Sequence, residues 1–324
     1  MPKLSTGRWT RKHLLGLADL SSDEILAILD TADEFFPFCT GKRPPPRVLE
    51  GRTVLNLILE DSTRTRTSFT LAAERLGARV VQFHADSSSL KKRETLVDTA
   101  RNVEAMGLDA IVIRHPERGA PHRLAEAVAC AVLNAGDDAH EHPTQALLDF
   151  LAIRHRLGRL DGLTMAVVGD IRHSRVARSN LYGLRALGSR AVFVGPAPFL
   201  EGLDDVEGPF QTSDNFDAVL PECDAVMMLR VQFERHEGLA FDQEAYVAGY
   251  QLTEERLARA KQSAIVLHPG PMNRGLEITD TVADGPRSVV LHQVTCGVAV
   301  RMAALALTIG ALDRKPEAAE GETP

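Results

Sequence analysis

Short apolar runs alternate with stretches of helical spacing, and the alternation runs through the chain twice. In the first series Thr53 to Leu59, Arg79 to Phe83, Ala110 to Ile113 and Ala131 to Asn134 read as strands. Between them Ser68 to Leu76, Glu94 to Met106 and His122 to Val128 carry helical spacing. Pro143 to Leu157 is a long helix stopped at Gly158. The second series then opens, with strands at Leu163 to Val168, Ala191 to Gly195, Ala225 to Leu229 and Ala264 to Leu267. Its helices are Arg175 to Leu187 and Glu254 to Ala260. Strands separated by helices cannot close as hairpins; they lie parallel, with the helices on their faces. The chain is therefore α/β: two parallel-sheet domains joined by one long helix. A further helix, Leu20 to Phe36, precedes the first series, and Gly41 to Pro46 is a proline-rich loop. A last helix from about Gly297 to Leu312 follows a strand end near Val289, and Pro316 to Pro324 is a polar tail.

Composition narrows the function class. The 324 residues suffice for two ordinary domains, and 44% apolar with 25% charged residues suits a globular chain. No uninterrupted apolar run reaches the roughly 18 residues that a bilayer span needs; the nearest, Val289 to Leu312, carries His292, Gln293 and Arg301. The N-terminus begins Met1-Pro2-Lys3-Leu4-Ser5 without an apolar signal segment, so a cytoplasmic location and no membrane are expected. Cys39, Cys130, Cys223 and Cys296 are far apart and form no C-x-x-C pair, which disfavours a zinc ribbon or disulfide scaffold. A net charge of -7 disfavours a nucleic-acid binder.

Ligands of open parallel sheets bind beyond the carboxyl ends of the strands, and those ends are where the chemistry collects. Leu59 leads into Glu60-Asp61-Ser62-Thr63-Arg64-Thr65-Arg66, Ile113 into Arg114-His115-Pro116, and Asn134 toward His142-Pro143-Thr144-Gln145. In the second series Val168 leads to Arg175, Leu229 to Arg230-Val231-Gln232, and Leu267 to His268-Pro269-Gly270-Pro271. Ser62 to Arg66 places hydroxyls and a guanidinium at a helix start, where free N–H groups favour phosphate. Nucleotide binding has no support, since neither G-x-x-x-x-G-K-[ST] nor G-x-G-x-x-G is present. His142 and Gln145 stand one turn apart behind a proline at the first helical position. Arg175 and Arg230, facing a phosphate site, suit a dicarboxylate through paired guanidinium contacts. His173 and His268 have no partner at metal-ligand spacing, and no metal is assigned.

This ordered set, with Ser87 to Thr95, resembles the carbamoyltransferase superfamily, and within it the aspartate branch. The resemblance covers the chain to about Leu312. Glu60 stands where ornithine enzymes usually carry lysine, and His268-Pro269-Gly270-Pro271 lacks their cysteine. By this resemblance residues 1–153 with 295–324 form a carbamoyl phosphate-binding domain, and 154–294 an aspartate-binding domain. The last helix, after Val294, would return to pack on the first domain. Ser62, Thr63, Arg64 and Thr65 would grip phosphate, and Thr65, Arg114 and His142 would polarise the carbonyl. Gln145 and the backbone of Gly270 and Pro271 would lie near the carbamoyl group. Arg175, Arg230 and Gln232 would hold the carboxylates of aspartate. Lys92, with Ser88 or Ser89, would enter a neighbouring subunit's site in a homotrimer. Three positions depart from the family pattern: Arg93 stands for a glycine, Gly270 for leucine or alanine, and Val176 for a threonine seen in some members.

The implied reaction carries the carbamoyl group of carbamoyl phosphate to the amine of L-aspartate, a step of pyrimidine biosynthesis. An amine attacking a carbonyl with a good leaving group needs no covalent intermediate and no cofactor. It needs proximity and donors aimed at the developing oxyanion. The alternatives are a carbamoyltransferase for another amine such as ornithine, and a non-catalytic scaffold subunit. The resemblance leaves open whether a regulatory chain or a dihydroorotase joins the assembly.

Overall fold

The computed structural model describes residues 8–83, 94–204, 206–232 and 242–312. Lys92, Ser87 to Ser89, Arg93 and the Pro316 to Pro324 tail lie outside the described residues. A helix α1 (Ser22–Cys39) comes first, opened by a reciprocal cap. Ser21 accepts from the Glu24 N–H and the Glu24 carboxylate accepts from the Ser21 N–H. The first series follows as β1 (Thr53–Ile58), α2 (Thr63–Arg75), β2 (Arg79–Gln82), α3 (Leu96–Glu104), β3 (Ala110–His115), α4 (Ala120–Ala127) and β4 (Ala131–Asp137). The linking helix is α5 (Pro143–Leu157), with the bounds its Pro143 and Gly158 predict. Next come β5 (Thr164–Val168), α6 (Arg175–Ala186), β6 (Arg190–Val194), α7 (Ala197–Leu200), β7 (Gln211–Ser213), α8 (Phe216–Val219) and β8 (Ala225–Met228). The chain ends through α9 (Gln243–Tyr250), α10 (Glu254–Leu257), β9 (Ile265–Leu267), α11 (Asp280–Ala283) and α12 (Val290–Leu312).

Both sheets are parallel, with strand orders β2-β1-β3-β4 and β7-β6-β5-β8-β9. Their central strands are mostly apolar because both faces are covered; the buried Asn56 of β1 donates to the Thr70 hydroxyl at 3.0 Å. In the first sheet Val54, Ile58 and Val112 face α1, α2 and α12, whereas Leu55, Leu57, Ile111 and Ile113 face α3 and α4. In the second, Met165, Val167 and Met227 continue the same core that α5, α6 and α12 share, and Ala166, Val168 and Val226 build a separate layer on the other face. The returning helix packs against α1, α2 and α5, all at the first domain's side.

That helix corrects one expectation. No strand precedes it: Val290 is already helical, and Ser288 makes only an isolated bridge to Val266. By length and composition α12 could cross a membrane, yet most of it is buried inside this fold. In its first two turns the exposed side carries apolar Leu291 and Val294 instead of a polar stripe, so the mark of helical period is lost there and they read as a strand end. Five small elements, α7, β7, α8, α9 and α11, also have no counterpart in the sequence reading; Gln211-Thr212-Ser213 is a polar edge with no apolar signal.

Each sheet reverses its strand order once, between β1 and β3 and between β5 and β8. Such reversals open a crevice beyond the strand ends. Here the two crevices face one another.

Candidate active site

A cavity of about 740 Å³ lies between the carboxyl ends of the two sheets. Every described residue to which the resemblance gives a role lines it: Ser62, Thr63, Arg64, Thr65, Arg114, His142, Gln145, Arg175, Arg230, Gln232, Gly270 and Pro271. Lys92 lies outside the described residues.

The floor on the first-domain side is the start of α2. Ser62 caps it in extended conformation, its hydroxyl accepting from the Thr65 N–H at 3.4 Å. Arg64 projects from this turn to the opposite domain and lies on Gly270. That residue has φ +66, and a Cβ there would come within 3.1 Å of the Arg64 guanidinium carbon. Glycine at 270 therefore provides both the left-handed backbone and the room for Arg64. Burial, followed by the charge of Arg230, lowers the Arg64 pKa.

Arg114 leaves the end of β3, and Arg175 is the first helical residue of α6, behind the Ser174 cap. Both converge on Glu60. Arg114 Nη2 donates to Glu60 Oε1 at 2.5 Å, Arg175 Nη1 to Oε2 at 3.0 Å, and Arg175 Nη2 to Oε1 as well. The three side chains tie the domains together, and Gly136 makes room for them. It has φ +119, and a Cβ there would stand 3.0 Å from Arg175 Nη1 and 3.1 Å from Arg114 Nη1. Although burial alone would raise it, the Glu60 carboxyl is held below its usual range by Arg175 and Arg114. Burial, then Arg175, brings the Arg114 guanidinium down to about 10.

His142 caps α5 and is buried. Its N–H donates to Ser179 Oγ at 2.9 Å, and its Nδ1 has no hydrogen-bond partner among the described residues. Burial first, and then Arg301, Arg114 and Arg175, keep its pKa far below the ordinary histidine value. The imidazole is neutral. One turn on, Gln145 donates to Asp149 Oδ1 at 3.1 Å. Asp149 also accepts from Asn180 at 2.9 Å and Gln293 at 2.7 Å, while Gln293 Oε1 accepts from the His268 N–H at 3.0 Å. This network fixes Gln145 against the His268–Pro271 loop. His268 Nδ1 accepts from the Gly270 N–H at 2.8 Å, so its Nε2 donates to Glu277 at 3.2 Å. It shapes the loop rather than holding a metal. Gln232 donates to the His173 carbonyl at 3.1 Å.

The sequence reading missed several members. Arg301 of α12 reaches the cavity from the interior and lies over Phe69 at 5.1 Å, with Nε unpartnered among the described residues. Burial lowers it to about 10, opposed by Asp149. Asp149 and Glu60 carry positioning tasks that neither spacing nor motif revealed. An acid inside the apolar stretch Ala146 to Ile153 was the available signal for the first.

Comparison with known proteins shows the family. Residues 12–155 match the carbamoyl-P binding domain model of aspartate/ornithine carbamoyltransferase, and residues 161–308 match its Asp/Orn binding domain model. An aspartate carbamoyltransferase catalytic subunit of Parafrankia sp. is 54% identical over 299 residues, covering 92% of this chain and 96% of the relative. Among solved structures, aspartate transcarbamoylase from Trypanosoma cruzi, in complex with carbamoyl aspartate and phosphate, superposes with a TM-score of 0.80 at 31% identity. That match covers 95% of this chain and 98% of the other. Ornithine carbamoyltransferase from Pyrococcus furiosus gives 0.82 at 29% identity over 93% and 98%. The backbone alone thus does not separate the two amines.

Proposed function

The chain belongs to the aspartate/ornithine carbamoyltransferase family, and from that premise we infer that it is an aspartate carbamoyltransferase. It transfers the carbamoyl group of carbamoyl phosphate to the amine of L-aspartate, releasing N-carbamoyl-L-aspartate and phosphate. The observation that carries this reading is the cavity wall itself. It gathers Arg64, Arg114, Arg175, Arg230 and Arg301 around one space, and Arg175 already grips a carboxylate, that of Glu60, with both terminal nitrogens. Carbamoyl phosphate brings a charge near ~-2, as phosphate monoesters do, and aspartate adds two carboxylates. Such a wall suits both.

The roles follow from position. The Ser62–Thr65 turn and Arg64 hold the phosphate against the start of α2. Arg114, Thr65 and His142 surround the carbonyl oxygen. A neutral His142 serves as a hydrogen-bond donor to the developing oxyanion, not as an acid. Gln145, held by Asp149, and the backbone of Gly270 and Pro271 orient the carbamoyl group. Arg175, Arg230 and Gln232 hold the aspartate carboxylates. The amine attacks the carbonyl carbon, the carbon–oxygen bond to phosphate breaks, and the departing phosphate takes the amine proton. Holding both reactants in line supplies up to about 7–11 kcal/mol of the barrier reduction in favourable cases. We assign residues 1–153 with 295–324 to carbamoyl phosphate and 154–294 to aspartate. The working form is a homotrimer in the cytoplasm in which Lys92 of one chain completes its neighbour's site.

Steady-state assays with aspartate and with ornithine test the assignment. Turnover with aspartate is expected, and Arg230→Ala should raise the aspartate requirement far more than that for carbamoyl phosphate. Turnover confined to ornithine, or an Arg230→Ala defect confined to carbamoyl phosphate, would overturn it.

A further inference from the structure

Away from the cavity, two histidines and a cysteine converge where the two interdomain crossings run side by side. His155 lies in the last turn of α5, the outgoing crossing. His292 and Cys296 lie in the first turns of α12, the returning one, four residues apart and hence on one helix face. His155 Nδ1 stands 3.0 Å from His292 Nε2 and 3.9 Å from Cys296 Sγ. The three ligand atoms all lie within 4.8 Å of one another. Tetrahedral Zn²⁺, with nitrogen at about 2.0–2.1 Å and sulfur at about 2.3 Å, requires N···N near ~3.3 Å and N···S near ~3.6 Å. The two measured pairs are within a few tenths of an ångström of that figure.

The surroundings are those of a ligand set already oriented. Asp33 Oδ1 stands 2.5 Å from His155 Nε2, so that nitrogen carries the proton and Nδ1 turns its lone pair toward His292 and Cys296. A carboxylate on the outer nitrogen is how metal-bound histidines are commonly fixed. The other oxygen of Asp33 takes Arg154 at 2.5 Å, which holds the carboxylate in place. Phe36 packs its ring against both imidazoles, with centroids 4.8 Å and 5.4 Å away. Cys296 is buried, and burial with nearby Asp33 pushes its thiol pKa up; a bound cation reverses that by supplying the thiolate's counter-charge. The sequence conceals the cluster because 137 residues separate His155 from His292.

We propose that His155 Nδ1, His292 Nε2 and Cys296 Sγ bind one Zn²⁺ ion per chain and so clip the two interdomain crossings together. A thiolate with two imidazoles suits zinc and disfavours magnesium or calcium. The His155 side chain is 23% exposed, which leaves a solvent molecule access to the fourth position. On binding, Cys296 gives its proton to solvent, and the His292 proton, which sits on Nε2 in the hydrogen bond to His155 Nδ1, passes through solvent to Nδ1 so that Nε2 is free to bind. The tautomer of His155 does not change.

Full-length protein, stripped with chelator, is titrated with Co²⁺ and then with Zn²⁺. The expected result is one equivalent bound, a near-ultraviolet sulfur-to-cobalt absorption, and its displacement by Zn²⁺. Cys296→Ser should abolish that absorption. His292→Gln should weaken Zn²⁺ binding at least tenfold, and Asp33→Asn by roughly 10–100-fold. Cys296 and His292 lie outside the proposed catalytic cavity, so unchanged turnover of their variants would confirm that they are folded. Three results would each overturn the proposal: no Zn²⁺ bound at micromolar free metal, Co²⁺ bound without thiolate absorption, or Zn²⁺ affinity equal in the parent, Cys296→Ser and His292→Gln.

Discussion

Glu60→Gln is the most informative single change, because one carboxylate holds arginines from both domains. Arg114 and Arg175 are almost fully buried, their side chains 11% and 12% exposed. Their Nη1 atoms lie 3.0 Å and 3.1 Å from one point above Gly136, which puts them within roughly 6 Å of each other. Two such charges at an effective dielectric near 20 repel by about 3 kcal/mol. Breaking a buried pair by removing one partner costs about 3–5 kcal/mol, and Glu60 is itself 25% exposed, which moderates the loss. We therefore expect Glu60→Gln to lose about 2–4 kcal/mol in urea unfolding at low ionic strength. Inorganic phosphate should recover more stability in the variant than in the parent, because it can occupy the released guanidinium groups. The pH dependence has a definite sign. Arg175 and Arg114 depress the folded carboxyl pKa, so its contribution is present above the unfolded value and is lost as pH falls through the folded one. The two stability curves should converge only in acid, below the ordinary carboxylate range. A loss under about 0.5 kcal/mol, with phosphate acting equally on both proteins, would refute this reasoning.

Other perturbations test separate parts. Gly136→Ala forces an alanine to φ +119 against both guanidinium groups; backbone strain of about 1–3 kcal/mol and a roughly hundredfold loss of turnover are expected from unfolding and steady-state assays. His142 is held neutral by burial and neighbouring cations, so stability should fall as pH drops below the unfolded histidine value of about 6.5. His142→Gln should make that fall shallower, by up to about 1.4 kcal/mol per pH unit, in unfolding series at stepped pH. Mixing inactive Lys92→Ala and inactive His142→Ala subunits should restore activity through sites with neither lesion; no recovery despite demonstrated subunit exchange would remove the shared site.

Much of this arrangement was legible because physics writes it locally. Strands buried on both faces are largely apolar, and ligand groups of a parallel sheet follow its strand ends, so Ser62 to Thr65, Arg114, Arg175 and Arg230 could be read in place. Pro143 and Gly158 fixed both ends of α5. What stayed hidden depended on long-range packing. α12 is apolar along most of its length, so Arg301 read as an interruption of an apolar run rather than a cavity residue. Glu60 served only as a marker of the aspartate branch, because its contacts with Arg114 and Arg175 join positions 54 and 115 residues away. Asp149 acts through Gln145, Asn180 and Gln293, which no single window contains.

The central claim is that this cavity joins the carbamoyl carbon to the aspartate nitrogen. Carbon-13-labelled carbamoyl phosphate and nitrogen-15-labelled aspartate, incubated with the protein and followed by NMR, report that bond directly. A one-bond carbon–nitrogen coupling should grow in step with inorganic phosphate, and Arg64→Ala should slow both by orders of magnitude. Phosphate released without the coupling, or a coupling formed only when labelled ornithine replaces aspartate, would contradict the account.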